Sequence, residues 1–197
     1  MDFSPLSSAL ASKSYERIAD ICDDIMLQVA AEGVSFQEDW PYAIHLLGHI
    51  YAGDINSMRF LWKSMPSAVK ENNPEVQAAW RIGQKLWVRD YVGVYEAIRG
   101  FNWSQEAEGL VAAFSDLYTK KMFQLLQSAY STISIQDTSL FLNMNDDDVK
   151  NYVQQQGWIV DPASQMITVN KQPIVTEQKL NPSKLQSLTE YVFHLEH

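Results

Sequence analysis

From Tyr15 to Ala129 the apolar residues recur mostly at intervals of three and four, the spacing of one helix face. A strand needs alternation with period two, so this stretch builds helices. Tyr15, Ile18, Ala19, Cys22, Ile25, Met26 and Val29 form a first face. It ends near Gly33, a suitable left-handed C-cap residue. A second helix starts at Trp40-Pro41 and carries Ile44, Leu47 and Tyr51 up to Gly53. Asp54 caps a third, with Ile55, Met58, Leu61 and Trp62, which Pro66 stops. Pro74 opens a fourth, with Val76, Ala79, Trp80 and Leu86. Asp90 caps a fifth, with Tyr91, Val94, Tyr95 and Ile98, and Gly100 stops it.

The second and third helices resemble the fourth and fifth. Asp54 and Asp90 stand 36 residues apart, and Ile50, Tyr51 and Ala52 then match Leu86, Trp87 and Val88. A period of that size marks helical repeats of the TPR or HEAT kind, whose pairs stack because each alone cannot bury its apolar face. Asn102-x-x-Gln105 reads as a capping box for a long helix carrying Leu110, Phe114, Leu117, Tyr118, Met122, Leu125, Leu126 and Ala129. Gly109 is expected to break or bend its start.

After Tyr130 the period changes. Thr132-Ile133-Ser134-Ile135 alternates like a short strand. Asp137 caps a short helix, and Asn145 caps another that opens with Asp146, Asp147 and Asp148, where the helix dipole favours carboxylates. Gly157 ends it. Trp158–Val160 and Met166–Val169 are strands joined by a turn at Asp161-Pro162. Strand, helix, turn, helix and hairpin make a winged helix. A last helix from Pro182 carries Leu185, Leu188, Tyr191, Val192 and Leu195 in a heptad-like seam. The expected fold is mainly α. A helical-repeat bundle (1–130) leads into a winged-helix module with a small β-hairpin (131–172), then a linker and C-terminal helix (173–197).

Winged helices often read DNA through the second helix. Here that helix begins with three carboxylates, and residues 133–172 hold Lys150 and Lys171 against five aspartates. The whole chain carries a net charge of −9. Binding nucleic acid requires clustered cations, so a nucleic-acid binder is the weaker alternative. Protein contact through the hairpin's outer strand is expected instead, with Val169 at the edge. The single cysteine, Cys22, excludes an internal disulfide framework and fits a reducing compartment. It lies in the apolar stripe and reads as a small buried hydrophobe. No apolar run approaches a membrane span, and the N-terminus lacks the pattern of a secretory signal. Location in the nucleus and cytoplasm is expected.

His45 and His49 have the i, i+4 spacing of a helix metal site, but Leu46 stands where a metalloprotease places its glutamate. In the repeat alignment they match Arg81 and Lys85, which indicates a solvated face. His194 and His197 read as exposed residues at a helix end. No catalytic, metal or cofactor-binding residue is assigned, and an enzyme built on His45 and His49 is the remote alternative.

The stretch Tyr118–Val169 resembles the PCI domain, the module shared by the proteasome lid, the COP9 signalosome and translation initiation factor three. The likeness is carried by LLQSAYSTISIQD, LFLNMNDDDVKNYVQQQGW and IVDPASQMITVN in that order. The small size, with few repeats in front, points to the signalosome branch in its plant form, with a proteasome-lid type as the alternative. The resemblance implies a non-catalytic scaffold subunit of a complex that removes Nedd8 from cullin ubiquitin ligases. Its partners would be other PCI subunits, with no nucleic acid, membrane or small-molecule substrate. By position, Ile159, Val160, Ile167 and Val169 would lie in the pairing hairpin. Leu185, Leu188, Tyr191, Val192 and Leu195 would lie in a helix given to a shared bundle.

Overall fold

The computed structural model describes residues 2–31, 40–171, 189 and 191–193. The stretch of helical spacing forms α1 (Ser4–Ala11), a 3-10 turn at Tyr15–Arg17, α2 (Ile18–Ala31), α3 (Tyr42–Ala52) and α4 (Ile55–Ser64). It continues through α5 (Ser67–Asn72), α6 (Pro74–Trp87), α7 (Tyr91–Arg99) and α8 (Gln105–Ala129). Then come β1 (Thr132–Ser134), α9 (Ile135–Leu142), α10 (Asp146–Gln155), β2 (Ile159–Asp161) and β3 (Met166–Thr168). The protein is thus mainly helical, with a small three-stranded antiparallel sheet. Thr189 and residues 191–193 are also helical. Gly33, Leu185, Leu188, Leu195, His194 and His197 lie outside the described residues. No helix among the described residues is long and apolar enough to cross a membrane.

Two helices escape the sequence reading. α1 has eight residues and α5 six, so neither runs through enough turns to reveal a period. Two caps also shift. Ser104, rather than Asn102, caps α8 by accepting from the Ala107 N–H, and Ser134, rather than Asp137, caps α9. A serine one step before the first helical residue reaches the free N–H groups better than a side chain placed further out or already inside the turn. Gly109 does not break α8, which runs 25 residues without interruption. The glycine admits a neighbour instead: a Cβ there would lie 2.8 Å from Tyr15 Oη.

The repeat is visible in the turns. Gly53 and Arg89, one residue before each aspartate, are both left-handed, with φ of 82° and 58°. The Asp54 N–H donates to His49 O at 2.9 Å, and the Asp90 N–H to Lys85 O at 3.0 Å. Each aspartate then caps the next helix, accepting from Ser57 N–H and Gly93 N–H. α3 is the central helix. Every residue from Tyr42 to Ile50 is buried, because α2, α4, α6 and α8 all pack on it. Burying each of its large aliphatic side chains contributes about 1.5–3 kcal/mol.

Candidate functional site

The sheet order is β1-β3-β2, with both pairings antiparallel. β3 is therefore the middle strand, and β2 is an edge of the sheet, free among the described residues. Residues opposite each other share a face, which sorts the hairpin by register. Ile133, Ile167 and Val160 stand in one row, and Thr132, Thr168 and Ile159 in the other. The first row faces the core: Ile133 and Ile167 are buried and Val160 is partly buried. The second faces outward, and Ile159 is 70% exposed.

This placement divides the four hairpin residues read from the sequence. Ile159 and Val160 lie on the edge strand. Ile167 sits in the central strand, wholly buried, and Val169 is buried just beyond it, its N–H donating to Ser131 O at 2.9 Å. Val169 is therefore a core residue and not the hairpin edge. Its partner β1 lies about three dozen residues earlier, a pairing that local alternation does not reveal. Of the C-terminal seam, Tyr191 and Val192 are described and exposed at 68% and 54%.

α10, which packs against β2, begins with Asp146, Asp147 and Asp148, all exposed. Asn145 caps it reciprocally: its Oδ1 accepts from the Asp148 N–H, and its Nδ2 donates to Asp148 Oδ2, both at 2.7 Å. Lys150 reaches Asp147 at 3.0 Å. Asp161 in the hairpin turn accepts from Ala163 N–H and Ser164 Oγ, which hold its carboxyl below its ordinary range. The start of α10 and the hairpin turn each present exposed carboxylates, and β2 has no second strand beside it among the described residues. Such an arrangement repels phosphates and leaves backbone groups open for strand addition.

A second cluster lies within the helical part. His45 and His49 are buried, not solvated, because α2 covers this face of α3 in the first repeat copy. Their counterparts Arg81 and Lys85 on α6 are less covered. His45 Nε2 is 2.9 Å from Asp23 Oδ1, His49 Nε2 is 3.1 Å from His45 Nε2, and His49 Nε2 is 3.5 Å from Asp23 Oδ1. Three donor atoms so close have the composition of a metal site. The surroundings argue otherwise. The Trp40 indole N–H donates to His45 Nδ1 at 3.3 Å, which leaves the imidazole proton on Nε2, facing Asp23. A metal-bound histidine has the reverse polarity, donating its second N–H outward. The cluster is a hydrogen-bonded group of two buried histidines and a half-exposed carboxylate. His45 holds the Asp23 carboxyl below its ordinary range, and burial pushes the His49 imidazole down. Cys22, next to Asp23, is buried, and desolvation raises its thiol to about 12, so it is a packing group without nucleophilic character.

Residues 37–178 match the model of the CSN8/PSMD8/EIF3K family. The chain belongs to that family. Among relatives, it is 66% identical to the COP9 signalosome complex subunit 8 of Arabidopsis thaliana over 197 residues, the whole of both chains. The Xenopus laevis protein of the same name is 31% identical, again over 100% of each chain. The Dictyostelium discoideum one is 23% identical over 100% of this chain and 98% of its own. Among the described residues of the C-terminal third, Ile159 on β2, Leu140 on α9, the acidic start of α10 and residues 191–193 are exposed. The matched range runs from the edge of α3 past the hairpin, so it spans both the repeat helices and the sheet.

Proposed function

We propose that this chain is a non-catalytic scaffold subunit of a COP9 signalosome, in the nucleus and cytoplasm, acting within the complex that removes Nedd8 from cullin ubiquitin ligases. The full-length likeness to proteins named as that complex's subunit 8 supports the assignment over a proteasome-lid role. The observation that carries the mechanism is the free β2 edge, with Ile159 70% exposed on its outer row. A neighbouring winged helix adds a strand there, its backbone pairing with β2 and its side chains covering Ile159. Tyr191 and Val192, both exposed, belong to the helix given to a shared bundle. The cluster of Asp23 with the buried His45 and His49 serves the fold by tying α2 to α3.

The test is a pair of substitutions in tagged protein expressed in its own cells. Ile159→Asp leaves the far-UV circular dichroism of the free chain unchanged and removes the partner subunits from the purified assembly. Val169→Asp, by contrast, buries a charge and lowers the melting temperature before it affects any partner. Normal incorporation of the Ile159→Asp chain would show that β2 is not the pairing edge.

A further inference from the structure

The outer seam between α4 and α6 combines exposed aromatic area with positive charge. Trp62 and Trp80 stack with centroids 4.5 Å apart and planes within 3°. The Arg59 guanidinium lies 3.9 Å from the centre of the Trp87 ring. Lys70 Nζ is 5.6 Å from the Trp62 ring, and Lys63 Nζ is 5.9 Å from the Phe60 ring. Residue 59 meets 87 while 62 meets 80, so the helices are antiparallel and these groups line one ribbon. Phe60 is 68% exposed and Trp87 53%. Large apolar side chains left in water on two helices packed together mark contact surfaces.

Charge singles out the same place. Residues 55–89 hold six of the chain's 15 lysines and arginines against two carboxylates, in a chain of net charge −9. Of those six cations only Lys85 has an ion-pair partner among the described residues, Asp90 at 2.7 Å. Arg59, Lys63, Lys70, Arg81 and Arg89 have none among those residues. Tryptophan and arginine side by side are also the residue types that dominate binding energy at protein interfaces.

We propose that this ribbon docks an acidic segment of another protein. The segment's carboxylates meet Arg59 and Lys63, and an apolar side chain of it lies against Phe60 and Trp87. Nucleic acid fits less well. One face of Trp87 already carries Arg59 and one face of Trp62 carries Trp80, which limits base stacking, and the chain's overall charge repels phosphates. The site lies on α4 and α6, not on β2, so it is a second contact surface beyond the strand edge.

Zero-length carbodiimide coupling, which joins an amine to a carboxylate in contact, tests this in the assembly purified through the tagged chain. Lys63 should couple to an aspartate or glutamate of a different polypeptide, identified by sequencing the linked peptide. The double variant Arg59→Glu/Lys63→Glu should keep its far-UV circular dichroism and retain at least tenfold less of that polypeptide at 0.15 M salt. If the double variant loses its helical signal, Phe60→Ser, at an exposed position, takes its place with the same expectation. Three results overturn the proposal. Lys63 couples only to carboxylates of a second copy of this chain in mixed light and heavy preparations. The folded variant keeps its partner undiminished. Or a single-stranded oligonucleotide protects Lys63 from coupling. Ile159→Asp acts through another element, so failure of the strand edge and failure of this ribbon are told apart.

Discussion

His49 is 3% exposed, and burial is the first cause that pushes its imidazole below the ordinary value near 6.5. His45 adds to that effect, while Asp23 and Asp54 oppose it less strongly. A lowered folded value means that the unfolded chain takes up the proton first. Stability is then fully present above about pH 6.5 and falls as the pH drops below it. Asp23 acts in a lower window: its carboxyl is held down by the bond from His45, so its contribution is lost only beneath its unfolded value near 3.8. The melting temperature of the free chain should therefore be flat from pH 8 to 7 and decline between pH 6.5 and 5. His49→Gln should flatten that decline, and equimolar zinc at pH 7.5 should leave the melting temperature unmoved. Thermal melts across pH, with and without the metal, check all three. The spacing of the two histidines was legible in the sequence, but their burial was not. Matching them to Arg81 and Lys85 assumes that both repeat copies have the same neighbours, and α2 covers only the first copy's face. Ile167 and Val169 went astray for a similar reason: alternation shows two faces and does not say which face a third strand will cover.

Caps decide where helices begin, and here they differ in how plainly the sequence shows them. Asp54, Asp90 and Asn145 each precede a run of helical spacing and each caps as expected. Around α8 and α9 two polar residues compete for the position, and the serine next to the helix wins. This yields a contrast in stability. Asn145→Ala removes two bonds of 2.7 Å at the start of α10 and should cost about 1 kcal/mol. Asn102→Ala, at an exposed residue that caps nothing, should stay within about 0.5 kcal/mol. Urea unfolding of both variants measures the difference. A loss at Asn102 equal to that at Asn145 would restore the capping box read from Asn102 and Gln105. The remaining elements follow the same logic. Helices with a long stripe, α2, α3, α4, α6, α7 and α8, were legible. α1 and α5 have eight and six residues, and so few turns have little period to read.

The two parts of the molecule share one core, and α8 is what joins them. Its first half packs against α3 and its last half reaches the winged module. Phe123 stacks on Trp158 at 4.4 Å and meets Tyr152 edge-on at 5.4 Å. Between α7 and α9, Tyr91 faces Phe141 at 6.1 Å, and the Arg99 guanidinium donates to Asn143 Oδ1 at 2.6 Å. The order of elements could be read along the chain because each signal is local. The joining could not, since it depends on residues far apart in sequence meeting across α8. Continuity of the core has a thermodynamic consequence: an interface built from buried aromatic groups transmits unfolding from one side to the other. The chain should melt in a single transition, with far-UV and near-UV circular dichroism falling together. Trp158→Ala opens a cavity beside Phe123 and should cost about 3–5 kcal/mol. Trp158→Phe should cost much less, because it keeps an aromatic face and removes an indole N–H that has no partner in the core. If Trp158→Ala splits the melt in two, with the repeat helices holding their wild-type midpoint, the helices and the module are energetically separate. A lowered but still single transition instead means that the helices and the module unfold as one cooperative unit.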